Sequence, residues 1–339
     1  MAQATAPRGE SEGQRDTHTL VDHFRRQVAE RGAAPALYHR AAGRYRPITW
    51  SDFARASLRL ASFLVSEGVQ EQDHVAIWAD NRPEWHIADM AILSLRARPV
   101  PVYQTLSAEQ AGYVLKHSQT KVVVVEAGML ERVLQADQTT GLHELRRVVV
   151  ITDSDQPVTG NSMVISWQDA LARGDDSQPD TAQEIDRRSR GVTPDDIATL
   201  IYTSGTTGPP KAVLLTHANV AAAVDALDEF VPGGPDERVV SYLPLAHIAE
   251  RFSTEFRSYV YGNPVWFVDG IANLGDRLRE VRPTQFFAVP RVWEKMADTL
   301  RKGVSELHGL SGWMARRTLA SSLRLSLIHI SEPTRQAEI

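Results

Sequence analysis

The chain has 339 residues, no cysteine and a formal net charge of −5 at pH 7. Without cysteine it can form neither disulfides nor thiolate metal sites, and it has no cysteine nucleophile. The modest negative charge gives no reason to expect a nucleic-acid partner. Apolar residues make up 42% and charged residues 23% of the chain, as in a soluble globular protein with one large or two ordinary domains.

The N-terminal segment and the apolar runs bear on cellular location. Residues 1–16 are polar and lack the apolar core of a secretory signal, so we predict a disordered tail there. No apolar run approaches the roughly 20 residues that a membrane-spanning helix needs. We therefore expect a cytoplasmic protein. The sequence leaves peripheral contact with a membrane and the oligomeric state open.

Residues 17–192 are predicted to form a first α/β subdomain. It opens with an amphipathic helix near Leu20, a short hairpin, and a second helix that is capped at Thr49 and closed by Gly68. Strands then alternate with helices, and they are expected at 75–78, 99–103, 122–125 and 148–152. Because prolines suit an edge position, the second of these strands is placed at the edge of a mostly parallel sheet. The polar stretch 174–192 is predicted to be a linker or surface loop.

Residues 193–324 are predicted to form a second, incomplete α/β subdomain in which the alternation resumes. Its strands are expected at 197–202, 212–215, 239–243, 265–268 and 286–289, and its helices after Thr216 and at 247–261 and 274–281. An amphipathic helical region continues to about residue 320. Residues 325–339 break the pattern and resemble translated sequencing-adapter read-through, so we expect a non-native tail. A natural frayed terminus is the alternative.

One run of small and polar residues lies between two apolar predicted strands: Tyr202-Thr203-Ser204-Gly205-Thr206-Thr207-Gly208-Pro209-Pro210-Lys211. Gly205 and Gly208 let backbone N–H groups turn toward one point and let an anion approach closely. Lys211 adds a positive charge suited to phosphate, and three hydroxyl groups add donors. The run predicts a polyphosphate cradle. It differs from a Walker A loop in its G-x-x-G-x-x-K spacing, and a solvated surface turn is the ordinary alternative.

This run resembles the signature loop of the adenylate-forming superfamily, which includes acyl-CoA synthetases, luciferase and the adenylation domains of peptide synthetases. Two further stretches are similar to the long-chain fatty acyl-CoA synthetases, namely Leu-Pro-Leu-Ala-His-Ile-Ala-Glu-Arg at 243–251 and Val-Pro-Arg-Val-Trp-Glu-Lys at 289–295. The resemblance covers most of residues 17–320. It implies the N-terminal domain of the adenylate-forming fold, with layered sheets flanked by helices, truncated before the C-terminal domain.

The resemblance also implies a long-chain fatty-acid–CoA ligase. Such an enzyme converts ATP and a fatty acid to an acyl-adenylate and then to acyl-CoA and AMP, with ATP, Mg²⁺ and coenzyme A as cofactors. Three later motifs of the superfamily do not occur in this sequence: Tyr-Gly-x-Thr-Glu, Thr-Gly-Asp and the C-terminal lysine. We therefore expect this chain to be an inactive fragment. Two alternatives stay open: an acyl-AMP ligase or peptide-synthetase-type adenylation domain, and a non-catalytic nucleotide- or acyl-binding module.

Particular residues acquire roles through this resemblance. The phosphates of ATP would be held by Thr203, Ser204, Gly205, Thr206, Thr207, Gly208 and Lys211. Thr206 is also the candidate ligand of Mg²⁺, and Lys211 would neutralise the departing pyrophosphate, so both are candidate catalytic residues. His247 and Arg251 are expected to line the substrate pocket. For His247 a core or capping role is the alternative, and Arg251 stands where some relatives place an aromatic gate.

Four other side chains carry simpler expectations. Tyr202 is expected to pack beneath the loop, and Trp293 is expected in the core. Arg96 and Arg98 replace the small residues that are common in the family before the Pro-Val-Pro-Val-Tyr strand. Two charges at such a position need solvent exposure or partners.

Overall fold

The computed structural model describes residues 18–152, 161–174, 179–203, 209–309, 313–315 and 317–318. The predictions for residues 1–16, for Ser204 to Gly208 and for the tail 325–339 lie outside these ranges. The residues up to Gln285 form one compact unit, and those from Phe286 onward form a second. In the described parts of the chain, no helix combines the length and apolarity needed to cross a membrane.

Helices and strands alternate through the first unit. Its helices are α1 (Leu20–Arg31), α2 (Trp50–Ser66), α3 (Pro83–Ser94), α4 (Ala108–His117), α5 (Leu130–Thr140), α6 (Trp167–Arg173), α7 (Pro179–Arg190), α8 (His217–Asp228), α9 (Ile248–Glu250), α10 (Arg257–Tyr261) and α11 (Leu274–Val281). Its strands are β1 (Pro35–Ala41), β2 (Arg44–Thr49), β3 (His74–Trp78), β4 (Arg98–Pro101), β5 (Val122–Glu126), β6 (Arg147–Ile151), β7 (Val164–Ser166), β8 (Ile197–Thr203), β9 (Lys211–Thr216), β10 (Val239–Ser241) and β11 (Val265–Phe267). A π-helical turn, Arg251–Phe256, joins α9 to α10.

The predicted helix starts are set by local capping. The Thr49 hydroxyl accepts a hydrogen bond from the backbone N–H of Asp52 at the start of α2. At the start of α4, Ser107 and Gln110 form both bonds of a capping box. Each cap satisfies backbone donors that have no partner inside the helix, so these boundaries can be predicted from nearby residues alone.

A five-stranded sheet forms the centre of the first unit. Its strand order is β4-β3-β5-β6-β7, and every neighbouring pair is parallel. This confirms the predicted parallel sheet and the edge position of the proline-containing strand β4. Strands β3, β5 and β6 carry runs of buried valine and isoleucine, because helices cover both faces of a parallel sheet.

Two smaller sheets complete the first unit. The predicted hairpin β1–β2 is antiparallel, and β1 also pairs in parallel with β11, which in turn pairs with β10. Strands β8 and β9 form an antiparallel hairpin whose β8 strand contacts β4. The pairing of β1 with β11 joins segments more than two hundred positions apart in the numbering, and local sequence patterns did not predict it.

Two predictions of secondary structure are wrong. The stretch predicted as a linker contains helix α7 (Pro179–Arg190), in which Glu184 pairs with Arg187 and Arg188 at helical spacing. These pairs support a helix whose composition alone is typical of a loop. Residues 286–289, predicted as a strand, form no strand in the described part of the second unit and lead into α12 (Pro290–Glu306).

Candidate functional site

The β8–β9 hairpin brings together the two described ends of the predicted phosphate loop. Thr203 is the last residue of β8, Lys211 is the first of β9, and they are cross-strand partners. Both side chains are exposed. The other predicted loop residues (Ser204, Gly205, Thr206, Thr207 and Gly208) lie outside the described residues. The hairpin thus places Lys211 opposite Thr203, the residue at which the loop begins. The binding roles of all seven loop residues stay predictions.

Helix α4 contacts both arms of this hairpin. The Tyr113 hydroxyl donates to the carbonyl oxygen of Pro210 at 3.1 Å, and the Tyr202 hydroxyl is hydrogen-bonded to Nδ1 of His117 at 2.9 Å. Tyr202 is only 7% exposed, so its side chain is packed in the interior; its position relative to the loop stays a prediction. Burial raises the pKa of Tyr202 to about 12, so its phenol stays protonated at neutral pH.

Tyr113 and His117 were not predicted as site residues from the sequence. Their spacing of four residues on a predicted helix was visible and indicates that they share one face. Spacing does not identify what that face contacts, because the partners Tyr202 and Pro210 come from a hairpin about ninety positions later in the numbering.

The segment 241–247, which contains the first half of the family-like stretch 243–251, is held by the Asn81 side chain. Asn81 donates to the Ser241 hydroxyl at 2.9 Å and to the Leu243 carbonyl at 2.6 Å, and it accepts from the Leu245 N–H at 3.3 Å. Asn81 follows the carboxyl end of β3. From β3 the chain continues to β4 on one side of the sheet, whereas from the neighbouring strand β5 it continues to β6 on the opposite side. Such a switch point is the usual place for ligand-binding loops in a parallel sheet.

Glu250 also holds this segment. Its carboxylate accepts from the backbone N–H groups of Tyr242 at 3.1 Å and Leu243 at 3.2 Å, and from the Thr254 hydroxyl at 3.2 Å. Burial raises the pKa of Glu250 to about 7, and these hydrogen bonds oppose the shift. The segment before His247 is therefore fixed by two side chains, Asn81 and Glu250, that the sequence analysis did not single out.

His247 lies at the start of helix α9, as predicted. Its Nδ1 accepts the backbone N–H of Ala249 at 3.1 Å, which is the capping geometry considered as the alternative for this residue. The side chain is exposed. The structure thus gives His247 a capping contact, and its role in a substrate pocket stays a prediction.

Arg251 occupies a different environment from the predicted pocket lining. Its side chain is 0% exposed and forms ion pairs with Asp89 and Glu255, each at 2.6 Å. It also donates to the Thr199 hydroxyl on β8 at 2.5 Å. Its guanidinium lies 5.0 Å from the ring centre of Trp85. These contacts make Arg251 a buried link between α3, β8 and the π-helical turn, and its geometry lends no support to the pocket role.

Arg96, just before β4, and Arg98, its first residue, both have the partners that such charged side chains need. Arg96 pairs with Glu71 at 3.2 Å and with Asp196 at 2.9 Å. Arg98 donates to the side-chain oxygen of Gln72 at 2.9 Å. Because Asp196 immediately precedes β8, the Arg96 contact also ties the hairpin strand to the parallel sheet.

In the second unit, the expectation for Trp293 is wrong. The side chain is 49% exposed rather than in a core, and its Nε1–H donates to the carbonyl of Ala288 at 3.1 Å. Its ring meets that of Phe286 edge-on, with centroids 5.4 Å apart. An indole can remain at a surface when its polar edge is paired in this way.

Comparison with known proteins gives a consistent result. Residues 24–337 match the family of AMP-binding enzymes. The chain is 32% identical over 300 residues to the long-chain-fatty-acid–CoA ligase ACSBG2 of Rattus norvegicus, a match that covers 86% of this chain and 44% of that protein. This chain therefore spans less than half the length of that relative.

Solved structures share the fold. A long-chain-fatty-acid–CoA ligase (FadD1) from Archaeoglobus fulgidus has a TM-score of 0.70 at 21% identity, covering 88% of this chain and 57% of that one. The anthranilate CoA ligase AuaEII in complex with anthranoyl-AMP has a TM-score of 0.67 at 20% identity, covering 80% and 50%. The predicted α/β fold of the N-terminal part of adenylate-forming enzymes is confirmed. The match over residues 24–337 shows that this chain belongs to the AMP-binding enzyme family.

Proposed function

We propose that this chain is the N-terminal part of an AMP-forming long-chain fatty-acid–CoA ligase. The overall reaction joins a fatty acid to the AMP portion of ATP, releases pyrophosphate, and then passes the acyl group to the thiol of coenzyme A. The family match and the similarity to the rat ligase support this proposal. The observation that carries it is the pairing of Thr203 with Lys211 across the mouth of a glycine- and hydroxyl-rich loop.

The loop would bind the β- and γ-phosphates of ATP. Its backbone N–H groups and the hydroxyls of Ser204, Thr206 and Thr207 supply donors, and Gly205 and Gly208 allow the close approach. Lys211 lies exposed at the start of β9 and would neutralise the charge that develops on pyrophosphate as the P–O bond breaks. Thr203, at the N-terminal end of the loop, would contribute a further hydroxyl to the phosphates.

Mg²⁺ would bind mainly through the phosphates. Within the described ranges, no group of three or more His, Asp or Glu side chains could hold a metal ion. Mg²⁺ commonly combines phosphate oxygens and water with one or two protein oxygens, which fits a single hydroxyl such as that of Thr206. When bound, the ion supplies positive charge to the phosphates. For coenzyme A we propose no binding residue on this chain, since the family places much of that site in its C-terminal domain.

The acyl group would lie near the segment 241–247. Asn81 and Glu250 fix this segment, and His247 lies exposed at its end. The AuaEII complex supports an acyl-adenylate site in this fold, since that protein holds anthranoyl-AMP. We propose a long-chain fatty acid as the substrate because the stretches at 243–251 and 289–295 are similar to those of long-chain ligases.

Calorimetric titration of the purified chain with Mg·ATP tests the nucleotide site. The variant Lys211→Ala should weaken binding by at least about tenfold, since a point charge on phosphate is lost. The variant Lys302→Ala removes an exposed lysine from α12 and serves as the control for a lost charge. Equal affinities of the wild type and Lys211→Ala, or no binding of ATP by the wild type, would contradict the proposal.

A second titration tests the acyl substrate. Non-hydrolysable adenylate analogues with palmitoyl and acetyl groups present the same nucleotide with different acyl chains. The palmitoyl analogue should bind more tightly, because each buried methylene contributes about 0.8 kcal/mol. Equal affinities would argue against a long-chain substrate while leaving the nucleotide site intact.

A further inference from the structure

Helix α4 presents two aromatic side chains, one turn apart, to the β8–β9 hairpin. Tyr113 and His117 are spaced by four residues and their rings stack, with centroids 5.5 Å apart and planes inclined by 26°. The Tyr113 hydroxyl bonds to Pro210, and the His117 Nδ1 bonds to the Tyr202 hydroxyl. The two rings therefore support each other while each contacts a different arm of the hairpin.

These contacts lie on either side of the cross-strand pair that closes the loop: Tyr202 is within β8 and pairs with Ala212, and Pro210 is the loop residue before β9. Tyr202 immediately precedes Thr203, and Pro210 immediately precedes Lys211, so each contact lies one residue from the cross-strand pair that closes the loop. The His117 ring also meets the Tyr202 ring edge-on, with centroids 5.7 Å apart. One helix is thereby attached to the last residue of strand β8 but one and to the residue that precedes strand β9.

The Pro210 contact acts on the peptide plane that leads to Lys211. A carbonyl oxygen and the N–H of the next residue lie in one rigid plane. The bond from Tyr113 to the Pro210 oxygen therefore restrains the direction in which Lys211 leaves the loop. Pro210 itself has a fixed φ angle, which limits the remaining freedom of this end.

Restraint of this kind matters for binding a polyphosphate. Donors that are already aimed at the ligand avoid the entropic cost of ordering when it binds. We propose that Tyr113 and His117 are positioning residues for the phosphate loop, which they hold at both ends without touching the nucleotide. This inference rests on the proposed nucleotide site and assigns its pre-organisation to α4.

The chain offers a matched control for the Tyr113 hydroxyl. Tyr45 is also half-buried, and its hydroxyl also donates to a backbone carbonyl at 3.1 Å, that of Phe267. Tyr113→Phe and Tyr45→Phe each remove one oxygen and one such bond, so their effects on the melting temperature should be similar. In calorimetric titrations with Mg·ATP, we expect Tyr113→Phe to raise Kd by about five- to tenfold and Tyr45→Phe to leave it unchanged.

The His117 contact can be tested with one disruptive and one conservative substitution. His117→Ala removes the partner of the Tyr202 hydroxyl and should raise Kd for Mg·ATP by a similar factor. His117→Asn retains a polar atom near the position of Nδ1 and should restore most of the affinity. Melting temperatures measured on the same samples show whether each variant is folded. If the two residues had a purely structural role, the loss of affinity for Mg·ATP would be proportional to the loss of melting temperature in all four variants: Tyr113→Phe, Tyr45→Phe, His117→Ala and His117→Asn.

The outcomes separate this inference from the proposed function. If the wild type binds Mg·ATP and Lys211→Ala binds it at least about tenfold more weakly, the nucleotide site stands. Under that result, a Tyr113→Phe variant with wild-type affinity, or a Tyr45→Phe variant with an equal loss, overturns the positioning role. If the wild type itself binds no ATP, the proposed function fails and the positioning role fails with it.

Discussion

Arg251 and Asp89 form an ion pair in which both side chains are fully buried, with Nη2 and Oδ2 2.6 Å apart. Glu255 adds a second buried carboxylate at 2.6 Å from Nε, and the Tyr259 hydroxyl donates to Glu255 at 3.1 Å. Burial raises the pKa of both carboxyl groups, and the Arg251 charge opposes this shift. One proton held between the two carboxyls would leave the cluster neutral, which is the least costly charge state in an apolar core.

Removing the arginine from this cluster should be strongly destabilising. Arg251→Met leaves Asp89 and Glu255 buried without their cation, and loss of one partner from a buried pair typically costs about 3–5 kcal/mol. Urea unfolding measures this change. The control is Arg279→Met, which breaks an exposed pair with Asp276 and should leave the free energy of unfolding nearly unchanged.

The same cluster provides a compensating variant. Adding Asp89→Asn and Glu255→Gln to Arg251→Met removes the stranded carboxylates and should recover part of the lost stability. If Arg251→Met were no more destabilising than Arg279→Met, the cluster would not have the energetic role that its burial indicates.

Glu250 should make stability depend on pH. Its pKa is about 7 in the folded protein, against an ordinary value of 4.5, because of burial. Between these two values the folded state binds a proton that the unfolded state has lost, so the contribution of Glu250 to stability falls as the pH rises from 4.5 to 7. The slope approaches about 1.4 kcal/mol per pH unit for one proton.

The variant Glu250→Gln isolates this contribution. Glutamine does not titrate. The unfolding free energy of the wild type minus that of the variant should therefore fall steadily as the pH rises from 4.5 to 7. Subtraction also removes the opposite contribution of His217. Burial lowers the pKa of His217 to about 4, so its contribution makes stability rise as the pH increases from 4 to 6.5. A difference that is constant from pH 4.5 to 7 would show that Glu250 titrates normally.

Gly174, at the end of α6, should not tolerate a side chain. A Cβ atom at this position would lie 1.9 Å from the backbone oxygen of Arg59 in α2. Backbone cannot move aside as a flexible side chain can, so Gly174→Ala should destabilise the protein by about 1–3 kcal/mol. Gly128→Ala is the matched control, since nothing lies within 4 Å of its Cβ position. Thermal melting distinguishes the two, and equal melting temperatures would refute the close approach.

The chain by itself should not release pyrophosphate from ATP in the presence of palmitate and Mg²⁺. The motifs Tyr-Gly-x-Thr-Glu, Thr-Gly-Asp and the C-terminal lysine, to which the family resemblance assigns metal binding, ribose binding and activation of the carboxylate, do not occur in this sequence. Loss of a single transition-state donor commonly costs a factor of about 10²–10³ in rate. A coupled pyrophosphate assay provides the measurement. Release that scales with protein concentration and disappears in Lys211→Ala would show that the loop suffices for the first half-reaction.

Local features of the fold could be predicted from neighbouring residues. The caps at Thr49 and Ser107, the β1–β2 hairpin and the valine-rich strands all depend on residues within a few positions, and all are present in the structure. The phosphate loop was likewise visible as a short ordered pattern of glycine, hydroxyl and lysine. The polar helix α7 was missed because its side-chain ion pairs outweigh the loop-like composition of its sequence.

Only the tertiary structure decided which of these segments meet. Tyr113 and His117 acquire a role because α4 packs against a hairpin far along the chain, and Asn81 because β3 ends beside the segment 241–247. Arg251, predicted to line a pocket, is buried against Asp89 of α3. Sequence periodicity determines which face of an element is apolar, since that depends on neighbouring residues. The partner of that face depends on how all the elements pack together, and this information is not contained in any local stretch.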